Sequence, residues 1–406
     1  MALDISAAPA PAATFSLKPL LAANVACTMA MMSFVPLVGP IVRLLRLPPW
    51  QAGAAVTVGG VLWMLLSRPW GTASDRHGRR TVLLAGMSGF ALSYWAMCAM
   101  LVVSMEVLPE AALVFAGLVL TRGAIGAFYA AVPSTGQALV ADHVPPGRRA
   151  GAMASLGAAN AVGMVLGPAM AAALAQRSLS LPLYVTALLP AIAWIVLWRA
   201  LPRSERHAET QPCALSLGDA RLRRPMAVAF IAMFCVAIAQ ITVGFFAIDR
   251  LALAPGAAAR AAGIALTAVG VGLIAAQLAV RKLGWPPLRL IRAGAWVAAG
   301  GFGATALIDT PVLLAACFFV AAAGMGWIFP AFAALAANAV EPHEQGATAG
   351  SVGAAQGLGF VLGPLAGTLL YGLGPGAPYV LVALLLLGVA LWPASAADST
   401  GRRQDG

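Results

Sequence analysis

The sequence predicts an all-α polytopic membrane protein, and three observations carry that expectation. Of the 406 residues, 61% are hydrophobic and only 10% are charged, against about 45–50% apolar and about 25% charged in soluble globular chains. Apolar stretches long enough to cross a hydrocarbon core of about 30 Å as a helix recur along the whole chain. The period-2 alternation of membrane β-strands is absent, and the runs are too long for barrel strands.

The elements follow from the apolar runs and their breakers. The opening "MALDISAAPAPAATFS" has no basic n-region, so residues 1–17 are expected to be a flexible tail and not a cleaved signal. Twelve spans are predicted. The first six lie at 18–42, 51–70, 80–104, 111–136, 149–175 and 180–200. The last six lie at 226–249, 261–281, 291–308, 311–336, 346–372 and 376–393. The polar stretch 201–225, "LPRSERHAETQPCALSLGDARLRRP", separates a bundle at 18–200 from one at 226–393, and residues 394–406 form a second tail.

Lys and Arg set the orientation, because cytoplasmic loops carry their excess. With both termini inside, nineteen of these residues fall at inner ends and five (Arg43, Arg46, Arg177, Arg250 and Arg260) at outer ends. The expected location is the cell (inner) membrane, with both termini cytoplasmic and one chain as the working unit. The net charge of +11 then reflects topology and anionic headgroups, and no nucleic-acid partner is expected. Five cysteines (Cys27, Cys98, Cys213, Cys235 and Cys317) lack metal or disulfide spacing and read as small hydrophobes.

An internal repeat supports the division. Residues 138–168 align without gaps to 334–364, with fourteen of 31 positions identical at a constant offset of 196. Related halves of this kind place a substrate site near the bilayer midplane, where they meet.

Four motifs carry chemistry. In "GTASDRHGRR", Gly71 permits close helix approach, and Asp75 can face the positive N-terminal end of another helix. Arg76, Gly78, Arg79 and Arg80 complete the stretch. In "GAANAVGMVLGP", Gly163 and Gly167 allow backbone contact and Pro168 bends the helix, a pattern repeated as Gly359, Gly363 and Pro364. Arg122 lies about ten residues into the fourth span, near mid-membrane, where a guanidinium is costly and marks a pathway or counter-ion. Pro36 and Pro40 would kink the outer half of the first span.

These stretches resemble the major facilitator superfamily. Gly71, Asp75, Arg76, Gly78, Arg79 and Arg80 match its signature between the second and third spans. Arg122 and Gly126 match its fourth-span R-x-x-x-G, with Ile125 where glutamine is often found. Gly163, Gly167 and Pro168 match its antiporter motif, and Pro36 and Pro40 resemble the P-x-x-x-P of the twelve-helix drug:proton antiporter branch. "VRKLGWPPLRL" is similar to a decayed copy of the first motif, with Gly284 kept and Arg281 where the acid belongs. The resemblance implies a fold of two pseudo-symmetric six-helix bundles and secondary active export of a small amphipathic molecule by alternating access. It also implies a proton as coupling ion, no other cofactor, and Asp75 docked on the start of the eleventh span as a latch.

The remaining polar residues bear on cargo. Asn24, Tyr129, Gln137, Asn160, Gln240, Gln277 and Gln356 are the uncharged polar groups expected near the midplane, and Asp249 is the best-placed titratable acid. With Arg122 positive and no acid beside it, the cavity is expected to favour an anionic cargo such as an organic acid or a hydroxycarboxylate siderophore. Import or facilitated diffusion of organic anions is the alternative within transport; a receptor or enzyme is the remote one. His77, His143, His207 and His343 fall in inner loops without metal spacing or a nucleophile, and no G-x-x-x-x-G-K-[ST] loop is present.

Overall fold

The computed structural model describes residues 16–201, 219–341 and 344–393. Residues 1–15 and 394–406 of the expected tails and most of the connection 201–225 lie outside them, as do Cys213, His207 and His343. Among the described residues the regular structure is helical, with thirteen α-helices and one 3₁₀ turn at Ala220–Leu222. The first bundle holds α1 (Lys18–Leu44), α2 (Pro49–His77), α3 (Arg79–Val107), α4 (Ala111–Tyr129), α5 (Ala131–His143), α6 (Pro146–Leu174) and α7 (Ser180–Ala200). The second holds α8 (Arg223–Asp249), α9 (Pro255–Leu283), α10 (Pro287–Thr305), α11 (Pro311–Asn338), α12 (Gln345–Tyr371) and α13 (Ala377–Leu391).

The fourth span is the main departure from expectation. It breaks at Ala130 into α4 and α5 and runs on to His143, where one helix ending at 136 was predicted. Pro133, three residues into α5, has no N–H for the Tyr129 carbonyl, and its ring crowds that oxygen. Counting α4–α5 as one rod gives twelve. Ten rods are long and apolar enough to span a membrane; α10, with Arg289 and Arg292 near its start, and the fifteen-residue α13 complete the set.

Each bundle is built on the same contact. A Cβ on Gly163 would stand 2.9 Å from the Met29 nitrogen, and one on Gly167 would stand 2.6 Å from the Met29 carbonyl oxygen. The α6 backbone therefore lies directly on α1. Ser33 locks the pair by donating to the Gly167 carbonyl at 2.9 Å. In the second bundle, a Cβ on Gly359 would overlap the Phe230 carbonyl of α8, and one on Gly363 would stand 3.0 Å from the Phe234 carbonyl oxygen. Both glycine pairs are thus packing devices inside their own bundles.

The bundles meet along a seam toward the ends opposite the basic excess, called here the far ends. Gly39 and Gly244 each stand twenty-one residues into α1 and α8, and they touch: a Cβ on Gly39 would overlap the Gly244 carbonyl carbon. On one flank Gly53 and Gly60 of α2 pack on Pro364 and Val361 of α12; on the other Gly263 and Gly270 of α9 pack on Pro168 and Val165 of α6. The partners on α6 and α12 are equivalent in the repeat. Their counterparts are not, because Gly53 and Gly60 lie four and eleven residues past Pro49, whereas Gly263 and Gly270 lie eight and fifteen past Pro255. The α9 crossing is therefore displaced by about one helical turn.

Toward the basic ends the bundles part. Gly151 and Gly157 near the start of α6, and Gly350, Gly353 and Gly357 near the start of α12, have open space where a Cβ would be. Among the described residues the bundles touch at their far ends and stand apart at their basic ends.

Candidate functional site

The stretch 71–80 is helix where a loop was predicted. α2 continues through Gly71 to His77, and one residue, Gly78, turns the chain into α3. Gly78 has φ +89°, a conformation that a side chain disfavours, so glycine is needed there. A Cβ on Gly71 would meet nothing within 4 Å, so the expected close approach is not made in this conformation. Gly284 also has a positive φ (+56°) where α9 ends, but its conformation is left-handed αL and three residues, not one, separate the two helices there.

Arg79 organises the basic end of the first bundle. Its Nε donates to Asp142 of α5 at 2.9 Å, its Nη1 donates to Ser74 at 2.6 Å, and the same guanidinium pairs with Asp75. Arg80 donates to the Trp198 carbonyl of α7 at 2.8 Å, and Arg76 is exposed. Asp75 thus pairs with Arg79 on the next helix; the dock on the start of α12 is not made while the basic ends are apart.

Arg122 is buried on α4. Its guanidinium carbon lies 5.4 Å from the centre of the Phe34 ring of α1, a cation–π contact. Its Nε and Nη1 are buried without a hydrogen-bond partner. Gly126, one turn on, is fixed by packing, since a Cβ there would overlap the Gly59 carbonyl of α2.

The uncharged polar residues divide into two groups. Asn24 donates to the Leu156 carbonyl at 3.3 Å and Asn160 accepts from Thr28 at 2.9 Å, so both join α1 to α6. Tyr129 packs on Phe90 at 5.1 Å between ring centres. Gln137 is exposed and Gln356 half-buried. Gln240 and Gln277, by contrast, line a cavity of about 470 Å³ between α1, α6, α8, α9 and α11. Met32 and Val35 form its α1 wall and Phe329 its α11 wall; the rest is mainly aliphatic, and neither an acid nor a base lines it. Arg122 is not among the residues lining this cavity.

A residue group that the sequence reading left unconnected closes the far end. Arg43 of α1 pairs with Asp249 of α8 at 2.5 Å, and Tyr371 of α12 donates to the same carboxylate oxygen at 2.9 Å. Arg43 also lies 5.8 Å from the Phe245 ring centre. The available signal was position: Arg43 stands four residues past Gly39, and Asp249 five past Gly244. That spacing is too little to pair them by sequence alone. Thr57 adds a cross-bundle bond to the Val361 carbonyl at 2.9 Å.

Two related helix bundles with a cavity between them are the architecture that the repeat and the resemblance implied. The profile of the Major Facilitator Superfamily matches residues 20–364. The chain belongs to that superfamily. It is a membrane transporter and not an enzyme. The tetracycline resistance protein of class G from Vibrio anguillarum is 28% identical over 345 residues, covering 80% of this chain and 81% of that one. A bacterial homologue of the human lysosomal transporter Spinster, solved inward-facing and occupied, superposes with a TM-score of 0.72 at 15% identity, covering 92% of this chain and 94% of that one. The human organic anion transporter TETRAN superposes with a TM-score of 0.63 at 19% identity, over 92% and 97%. Both structures share the fold.

Proposed function

We propose that this transporter exports a small, largely apolar, amphipathic molecule across the cell membrane by alternating access, in antiport with protons. The single observation that carries the cargo class is the uncharged, mainly aliphatic cavity at the bundle seam, with Gln240 and Gln277 as hydrogen-bonding groups. Such a lining suits an apolar body with one polar edge. The basic excess assigns the open ends and both termini to the cytoplasm, where an exporter loads its cargo. The antiporter-type motif and the tetracycline-resistance relative support the outward direction. One chain contains the whole path and works alone.

An anionic cargo is the second reading, and Arg122 favours it. Its two unpartnered nitrogens offer donors to a carboxylate or enolate that reaches past α1. The test of both is transport by purified protein in proteoliposomes under an imposed pH gradient, with neutral, anionic and cationic amphiphiles. Gradient-driven accumulation of neutral or anionic compounds is expected. Accumulation indifferent to collapse of the gradient removes the antiport, and preference for cationic dyes removes the anionic reading.

A further inference from the structure

The two amides that line the seam cavity stand at different depths. Gln240 lies four residues from Gly244 on the basic side of the seam contact, a rise of about 6 Å along α8. Gln277 lies seven residues from Gly270 toward the basic end of α9, about 10 Å beyond the contact that Gly270 makes with Val165. That contact is itself well below the seam. Val165 lies on the basic side of Gly167, which packs on Met32, and Met32 stands seven residues before Gly39 on α1. Followed along the packed helices, the two amides are separated in depth by roughly 15 Å. Gln240 is at the closed end of the cavity and Gln277 at its open end.

The wall between them is apolar. On α9 it consists of Leu266, Val269, Gly270, Leu273 and Ile274. Both amides belong to the second bundle, and the first bundle lines the cavity with apolar residues alone. Asn24 and Asn160 are bonded across α1 and α6. Neither glutamine has a hydrogen-bond partner among the described residues, so both amides are free to bind cargo.

We propose that Gln277 and Gln240 act on the cargo in succession. Gln277 takes its polar edge at loading, and Gln240 takes that edge over at the closed end before the far ends part. A hydrogen bond spans about 3 Å, so one polar edge engages one amide at a time. The apolar body meanwhile slides along the aliphatic wall, which holds it without directional preference. Because both stations sit on the second bundle, neither bond is strained when the first bundle swings past. The stations also define the edge. A primary amide offers a donor and an acceptor side by side, which suits an amide, a phenol or an enol. An ionised edge would lose its hydration with no counter-charge on the lining. This inference rests on the export reading above and adds an order of contacts and a neutral donor–acceptor group on the cargo.

The experiment uses the full chain in proteoliposomes and radiolabelled chloramphenicol, a neutral amphiphile with an amide and hydroxyl groups on an aromatic body. Gln277→Met and Gln240→Met keep the side-chain length and remove the hydrogen bonds. Succession predicts that Gln277→Met raises KM at least roughly fivefold with kcat kept, whereas Gln240→Met lowers kcat at least roughly fivefold with KM kept. The same parameter moved by both variants, or neither parameter moved by either, overturns it. A second measurement does not depend on turnover. Gln277→Cys should react faster than Gln240→Cys with a water-soluble maleimide supplied at the basic ends, read above the wild-type background. Equal or reversed rates overturn the proposal. Failure of the wild type to carry chloramphenicol counts against export of a neutral cargo, and the order of labelling then decides the stations by itself.

Discussion

Arg43 and Asp249 lie 206 positions apart in the chain and meet at 2.5 Å across the seam between the bundles. The pair is partly exposed, so its contribution is at most about 1 kcal/mol. It is made only while the far ends are closed, however, and so its whole value enters the conformational equilibrium. Asp249→Asn is expected to raise the far-end-open population by roughly two- to fivefold. Spin-label distances between the far ends of α1 and α8 measure it; an unchanged distribution would make the pair ornamental.

The contact between Gly39 and Gly244 is stricter. A Cβ at Gly39 has no room against the α8 backbone, and a backbone cannot yield as a side chain can. Gly39→Val should fold, since the seam lies between bundles and not within them. It should hold the far end open and lower turnover by roughly tenfold or more, in line with an overpacking cost of about 1–3 kcal/mol. Increased reaction of far-end cysteines with an impermeant maleimide checks it.

Two glycines of one motif are expected to respond differently. Gly78→Ala places a side chain at φ +89° and should cost about 1–3 kcal/mol of stability. Gly71→Ala meets open space and should leave the melting temperature in detergent unchanged. A turnover defect in the stable Gly71 variant would then report a close approach made only when the basic ends shut.

Within the same stretch, Arg79→Ala should be more damaging to the fold than Asp75→Asn. Arg79 joins Asp75, Ser74 and Asp142, while Asp75 pairs with Arg79 alone among the ion pairs described. Losing Arg79 leaves the largely covered Asp142 carboxylate uncompensated, at about 3–5 kcal/mol for a buried pair and less here in proportion to exposure. Asp75→Asn should keep the folded yield yet shift the resting conformation and slow transport. Thermal unfolding of both variants beside their turnover separates the two effects.

Arg122→Met tests whether the buried cation serves cargo or fold. Replacing a buried cation that has no carboxylate partner with an apolar chain of similar length removes its desolvation cost at the loss of the Phe34 contact. The variant is therefore expected to melt no lower than wild type. If anions are carried, it should lose them selectively and keep neutral amphiphiles; equal retention of both classes would leave Arg122 with no part in selection.

The twelve rods and their division were legible because apolar length and breakers report directly on membrane crossing. The repeat was legible too, and it located Val165, Pro168, Val361 and Pro364 at equivalent contacts. The break at Ala130 was signalled by Pro133 but was masked by continuous apolarity on both sides. The cavity was harder to read. Gln240 and Gln277 look no different in sequence from Asn24 and Asn160, and only the rotation of each helix decides which pair faces a void and which bonds across α1 and α6. Arg122 stood out by its cost, yet its neighbour proved to be the Phe34 ring and not the cavity. The Arg43–Asp249 clasp depends on how two bundles close, which no local pattern encodes.

The one-turn displacement of α9 has a consequence for descent. Had the two halves remained exact copies, the crossings on either flank would match, and a molecule arriving from either side would meet the same wall. Four residues of slippage, equal to about one turn plus 40° of rotation, present a different face of α9 to α6 than α2 presents to α12. Symmetry supplies the hinge, and its local failure makes the two flanks of the seam inequivalent. A chimera carrying a second copy of α2 in place of α9 would restore the match and make the two flanks equivalent.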